Sequence, residues 1–337
     1  MKTGLMDKAN HIVIQDAPIP ELKPGEVLIK VKYAGVCGSD LHAYKGLHPF
    51  RQPPVVLGHE VAGVVEKVAG GVDGFAPGDN VTVMPVASCG KCAPCREGKT
   101  NICVNKVVPG SGGWLGTFAE YFASPADITY KVPAGMGLDV AALAEPLATS
   151  VHSMRVADVK SGDQVLILGG GTIGILAIAV AKEMGAKDVV ITDVLDFNLD
   201  MAREFGADAY NALDPDLEKK LLEKYPDKFN SVVLCASVEP TVHQSVRLVR
   251  RGGRVVVTGM YLKPIPFNFI DITLGEIAMA GSQIYTDSDF REALRMLETD
   301  KKLAKIITHR LPLDDADKAL QILATHSENA VKILLEA

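Results

Sequence analysis

Hydrophobic and polar positions fall into two textures along the 337 residues. Up to about residue 147, short β-type runs are broken by glycine and proline, as at 26–33, 61–68 and 80–85. Such runs predict an irregular, mostly antiparallel β domain. From about residue 150 the rhythm changes. Val165-Leu166-Ile167-Leu168 is wholly apolar, a glycine turn follows, and helical spacing runs over 172–184. Strands at 189–192, 231–236 and 254–258 then alternate with helices at 198–205 and 239–250. Strands separated by helices predict an α/β, doubly wound parallel sheet. The tail adds amphipathic stretches at 289–298 and 314–324.

Charge and composition narrow the partners. The formal net charge is −6 and no basic run accompanies it, which argues against nucleic acid or anionic lipid. Nowhere do about eighteen apolar residues follow one another, as a membrane-spanning helix needs. Residues 1–15 lack the apolar core of a signal peptide. A cytoplasmic enzyme acting on a small molecule is the expectation.

Four of the six cysteines, Cys89, Cys92, Cys95 and Cys103, are spaced C-x2-C-x2-C-x7-C. Four thiolates brought together suit a tetrahedral structural zinc. Gly90, Lys91, Pro94, Arg96 and Gly98 fill the gaps and offer no core, so a closed metal site has to supply the folding energy of this segment. Two disulfides are the competing assignment, disfavoured where thiols stay reduced.

Gly169-Gly170-Gly171-Thr172-Ile173-Gly174 fits G-x-G-x-x-G between a buried strand and a helix. Gly169 allows the tight turn, Gly171 lets backbone approach a pyrophosphate, and Gly174 lets helix and strand pack closely. Asp193 ends the next strand, where a carboxylate can hold a ribose 2′-hydroxyl. A carboxylate there repels a 2′-phosphate, and residues 194–198 supply no arginine to offset it. NAD is therefore expected rather than NADP.

Cys37-Gly38-Ser39-Asp40-Leu41-His42, followed by Gly58-His59-Glu60, offers thiolate, imidazole and carboxylate. That set can hold zinc with one position open to substrate. By themselves these residues fit a buried cysteine and a satisfied histidine equally well. In combination with the cysteine lobe and the glycine turn, they follow the order and spacing of the zinc-dependent medium-chain alcohol dehydrogenases. The chain resembles that family over nearly its whole length. The segment Ala144-Glu145-Pro146-Leu147-Ala148-Thr149-Ser150-Val151-His152 is most similar to the polyol (sorbitol), butanediol and threonine dehydrogenase branch.

The resemblance implies a GroES-like catalytic domain from residues 1–147 and 282–337, and a Rossmann domain from 148–281. It makes Cys37 and His59 zinc ligands, with Glu60 and Glu145 binding the metal directly or through its water. Asp40 orients a ligand, Thr149 lies near the nicotinamide, and Thr172 and Ile173 open the phosphate-binding helix. Ser39 takes the hydroxyl proton of an alcohol and passes it through the cofactor ribose to His42. Arg310 and Lys332 fall where relatives approach the cofactor phosphates, and a homotetramer or dimer is implied. Cys235, His11, His48, His152, His243 and His326 are assigned no role.

The substrate is expected to be a secondary alcohol carrying further hydroxyls: a sugar alcohol, cyclitol or sugar acid. Tyr44, Ser39 and Trp114 are candidates to contact it, with packing an equal reading of Trp114. Ile284 stands before Tyr285 where sorbitol-type enzymes carry arginine, and Met84-Pro85-Val86-Ala87-Ser88 lacks the histidine of threonine dehydrogenases. A butanediol or acetoin enzyme working as a carbonyl reductase is the rival, and a non-catalytic nicotinamide-binding protein is the alternative from another class.

Overall fold

The computed structural model describes all residues from Met1 to Ala337. The chain divides into two units, Met1–Glu145 with Thr286–Ala337, and Pro146–Tyr285. No helix is long and apolar enough to cross a membrane.

The first unit is built on a seven-stranded sheet. Its strands lie in the order Ile307–Pro312, Lys332–Glu336, Glu26–Val36, Glu60–Val68, Asn80–Val83, Thr129–Lys131, with Tyr121–Pro125 paired to Glu26–Val36. All neighbours are antiparallel except the two tail strands, which run parallel. Alternation in Glu26–Val36 turns Val27, Ile29 and Val31 inward, each fully buried. The register sets Gly35 opposite Glu60 and Val36 opposite Ile333. One end of the inner strands thereby gathers the residues after Val36, those before Glu60, and the start of the last strand. A second sheet of three strands joins His11–Asp16, Lys2–Lys8 and Val55–Val56.

The second unit carries a six-stranded sheet, wholly parallel. The order is Asp208–Asn211, Asp188–Asp193, Gln164–Leu168, Phe229–Leu234, Val249–Val257, Ala278–Gly281. The order reverses direction at Gln164–Leu168, which is where doubly wound sheets open a crevice for ligand. Val165, Leu166, Ile167 and Leu168 have no exposure, as a strand covered on both faces requires. The helix Thr172–Glu183 is correspondingly apolar on most of its surface.

Candidate active site

The segment from Cys37 to Glu60 is shaped by one carboxylate. Cys37 caps the short helix Gly38–Tyr44, and its amide donates to Asp40 Oδ2 at 3.0 Å. The other oxygen, Oδ1, accepts from the Gly58 amide at 3.2 Å and faces His59 Nδ1 at 3.4 Å. Asp40 has no exposure. Burial opposes its charge, but His59 and then Arg51 outweigh that and hold the carboxyl at about 2. With Asp40 facing Nδ1, the second nitrogen of His59 is left free to ligate, and a donor atom of the ring lies within 4.8 Å of the Cys37 sulfur. This fixes the tautomer a metal-bound imidazole needs. Burial works against protonation of His59, yet Asp40 raises its proton affinity well above the usual range.

Two glycines permit this approach. Gly58 has φ +88°, and a side chain there would collide with Phe118 and Thr117. A side chain at Gly35 would collide with the Glu60 carboxylate, which folds over that position from the neighbouring strand.

Donor atoms of Cys37, His59 and Glu60 lie within 4.8 Å of one another. Sulfur, nitrogen and oxygen in that range fit a divalent zinc. Glu60 is fully buried beside a buried lysine: Lys332 Nζ donates to Glu60 Oε1 at 2.6 Å and to the Val36 carbonyl at 3.0 Å. Glu60 Oε2 is within ion-pair range of the same ammonium but accepts no well-directed hydrogen bond. An acceptor left so in the interior also suits a cation. Burial raises the Glu60 carboxyl, Lys332 opposes this, and the charge of Glu145 adds to the rise. Glu145, in the first turn of the helix Ala144–Val156, is 8% exposed and outside the three-residue cluster. Thr149 follows it by one turn on the same face of that helix.

Ser39 and His42 share a face of the helix Gly38–Tyr44. Ser39 Oγ accepts from Arg51 Nη1 at 3.3 Å. His42 is half-buried, its Nδ1 has no partner, and burial lowers its proton affinity.

Cys89, Cys92, Cys95 and Cys103 converge with all four sulfurs within 4.8 Å. Cys92 Sγ lies 3.3 Å from Cys95 Sγ and 3.8 Å from Cys103 Sγ. Zinc–sulfur bonds of about 2.3 Å place tetrahedral sulfurs ~3.8 Å apart. All four thiols are free, and Lys91 and Cys92 amides bring Cys89 down to about 6. The lobe fits zinc and contains no disulfide.

At the glycine turn, Gly169 has φ +115°, and a side chain there would strike Ala236. A side chain at Gly174 would collide with the Gly169 carbonyl, whereas one at Gly171 would meet nothing within 4 Å. Close packing at the ends and open space in the middle fit a pyrophosphate at the helix Thr172–Glu183. The Asp193 carboxylate is set by three donors: the Gly170 amide at 2.7 Å, the Leu195 amide at 2.9 Å and Asn198 Nδ2 at 3.2 Å. Ser150 Oγ donates to the Ile173 carbonyl at 3.0 Å, tying the residue after Thr149 to this turn.

Three expectations are corrected. Lys332 does not point at cofactor phosphates but is locked to Glu60. Arg310 is engaged by Asp139 Oδ2 at 2.6 Å. The Tyr44 hydroxyl is occupied by the Asn10 carbonyl and Asp317, each at 3.0 Å, with the ring buried. Of the two roles open to Trp114, packing has the contacts: it stacks on Phe122 at 5.5 Å and donates to the Ala123 carbonyl at 2.8 Å. His48 is bonded locally, its Nδ1 accepting from the Phe50 and Arg51 amides, and is 2% exposed. Sequence reasoning missed Arg51, 5% exposed, which has no periodic or motif signal.

Family profiles match both units. The alcohol dehydrogenase GroES-like domain aligns with residues 23–134, and the zinc-binding dehydrogenase domain with residues 172–299. A sorbitol dehydrogenase of Halalkalibacterium halodurans is 36% identical over 334 residues, covering 96% of this chain and 95% of the relative. An alcohol dehydrogenase of Escherichia coli CFT073, solved with NADH, superposes with a TM-score of 0.92 at 32% identity, covering 100% of this chain and 99% of that one. A putative zinc-binding dehydrogenase of Sinorhizobium meliloti 1021, solved with NADP, gives 0.91 at 32% identity with the same coverage. Matched in both units and along nearly its full length, the chain belongs to the zinc-dependent medium-chain alcohol dehydrogenase family and is an oxidoreductase.

Proposed function

We propose that the chain oxidises a polyhydroxylated secondary alcohol (a sugar alcohol, cyclitol or sugar acid) with NAD as acceptor. The observation that carries this is the meeting of Cys37, His59 and Glu60 within 4.8 Å, with Ser39 in the first turn of the helix that Cys37 caps. Cys37, His59 and one of Glu60 or Glu145 hold the catalytic zinc, and the four-cysteine lobe holds the structural one. Bound zinc supplies Lewis acidity toward the alcohol oxygen, and the nicotinamide supplies the hydride acceptor. Ser39 Oγ takes the hydroxyl proton, and His42, whose burial favours the neutral imidazole, moves it toward solvent. Asp40 keeps His59 in its ligating orientation. Asp193, already aligned by three donors, holds the ribose and disfavours a 2′-phosphate. Thr149 borders the nicotinamide, with Thr172, Ile173 and the turn glycines on the phosphates. The name of the sorbitol dehydrogenase relative supports a polyol.

The chain also works in the cytoplasm as a homo-oligomer. Its support is the outer strand Ala278–Gly281, paired on one side, with Met279 41%, Leu274 66% and Phe269 70% exposed nearby.

A polyol and diol panel followed at the NADH absorbance, with zinc counted in the same sample, tests the reaction. NADH formation with polyols is expected. Fast oxidation of simple diols alone would transfer the assignment to a butanediol enzyme. Cys37→Ser should abolish turnover while leaving NAD affinity within about twofold, since the cofactor site is built from other residues. Loss of NAD binding in that variant would contradict the assigned roles.

A further inference from the structure

Arg51 is a buried cation that the reaction as described leaves without a task. Its Nη1 lies 3.3 Å from Ser39 Oγ, 3.5 Å from Asp40 Oδ1 and 3.5 Å from His59 Nδ1. A guanidinium has only donors, so it cannot accept from His59 Nδ1–H, which faces Asp40 instead. Nη1 therefore donates to Ser39 Oγ and stands in ion-pair range of Asp40 Oδ1. Asp40 has little need of the second cation. It already accepts the Cys37 and Gly58 amides and faces His59. Burying arginine is unfavourable unless its donors are met, and here Nε has no partner. The shortest of the three Nη1 contacts is the one to Ser39.

The consequence lies in the valence of a hydroxyl. Ser39 Oγ has two lone pairs and one O–H. With one lone pair held by Arg51, the oxygen retains one site to accept a proton and one proton to give. A hydroxyl so restricted has one path in and one path out for a proton. The fixed positive charge also favours negative charge developing on Oγ, without solvent having to reorganise. Asp40 supplies the balancing charge, which keeps the cation tolerable in the interior.

We propose that Arg51 is a positioning residue for the reaction, holding Ser39 Oγ as a one-in, one-out relay. The inference rests on the role given above to Ser39. Turnover is measured at saturating NAD for Arg51→Gln, Ser39→Ala and the double variant, with zinc counted in each. Arg51→Gln should lower kcat about 10- to 100-fold, leave the alcohol KM and zinc content near wild type, and raise the solvent deuterium isotope effect. In the Ser39→Ala background the same change should cost nothing further. Arg51→Lys, which keeps a cation, should recover part of the loss, and it serves as the readout if Arg51→Gln does not fold. In nitrogen-labelled protein, the Arg51 guanidinium resonances should shift on Ser39→Ala, a readout that needs no turnover. Wild-type kcat in Arg51→Gln, an equal loss with and without Ser39, or loss of zinc would each overturn the inference. A fully active Ser39→Ala overturns the relay itself. An impaired Ser39→Ala beside an unaffected Arg51→Gln removes only the part given to Arg51.

Discussion

His48 shows how the local structure resists a proton. Its Nδ1 accepts the Arg51 amide at 3.2 Å and the Phe50 amide at 3.4 Å, so this nitrogen must stay unprotonated. Burial, and then the Arg51 charge, lower it from 6.5 to about 4. A depressed histidine contributes stability that is complete above the unfolded value and is lost as pH falls. Between pH 6.5 and 4 the unfolded chain binds the extra proton at this residue. The cost approaches about 1.4 kcal/mol per pH unit in mid-window. Urea unfolding at stepped pH should therefore show a shallower acid loss for His48→Gln than for wild type. Identical slopes would refute the assignment. His59, whose affinity is raised, acts with the opposite sign in both proteins and cancels in the difference. At this scale the sequence reveals chemistry only where motif spacing marks it. Cys37, His59 and Glu60 stand out through Gly58-His59-Glu60 and its companions. Arg51 and Lys332 do not, because their roles come from burial and from partners as many as 296 residues away.

Among elements, the strongly patterned ones are legible and the weakly patterned ones are not. Expected runs at 165–168 and 172–184 appear as Gln164–Leu168 and Thr172–Glu183. The strand Asp208–Asn211 and the helix Leu217–Lys224 went unseen, the first being short and polar, the second narrow in its apolar face with Leu217 and Leu221 buried. Ala278–Gly281 was hidden by its small residues and its exposure at an edge. The cysteine lobe is a further case. Its secondary structure is one turn of helix, Ala93–Arg96, and one 3-10 turn, Thr100–Ile102, with little apolar burial beyond Cys103. Cys95→Ser opens the four-sulfur site, so soluble yield should fall several-fold and zinc per chain should drop by about one. A soluble, fully active Cys95→Ser protein with unchanged zinc would show that the lobe stands without metal.

For the whole molecule, the parallel sheet ends in an unpaired edge. Ala278–Gly281 bonds only to Val249–Val257, leaving its outer groups and Met279 exposed. A second copy of the chain meeting that edge would satisfy both. Sedimentation should accordingly report a mass at least twice that of one chain, and Met279→Lys should shift it downward. A wild-type monomer at micromolar concentration would dismiss the homo-oligomer.

The chain also returns to its beginning. Lys332–Glu336 pairs with Glu26–Val36, and Lys332 alone supplies the ion pair of the buried Glu60. On the ribosome, the unit Pro146–Tyr285 is contiguous and can close as soon as it emerges. The other unit must wait, with Glu60 lacking its counter-ion, until translation has passed the last strand. Any chain released before Lys332 would hold a finished nucleotide fold attached to an unfinished metal site.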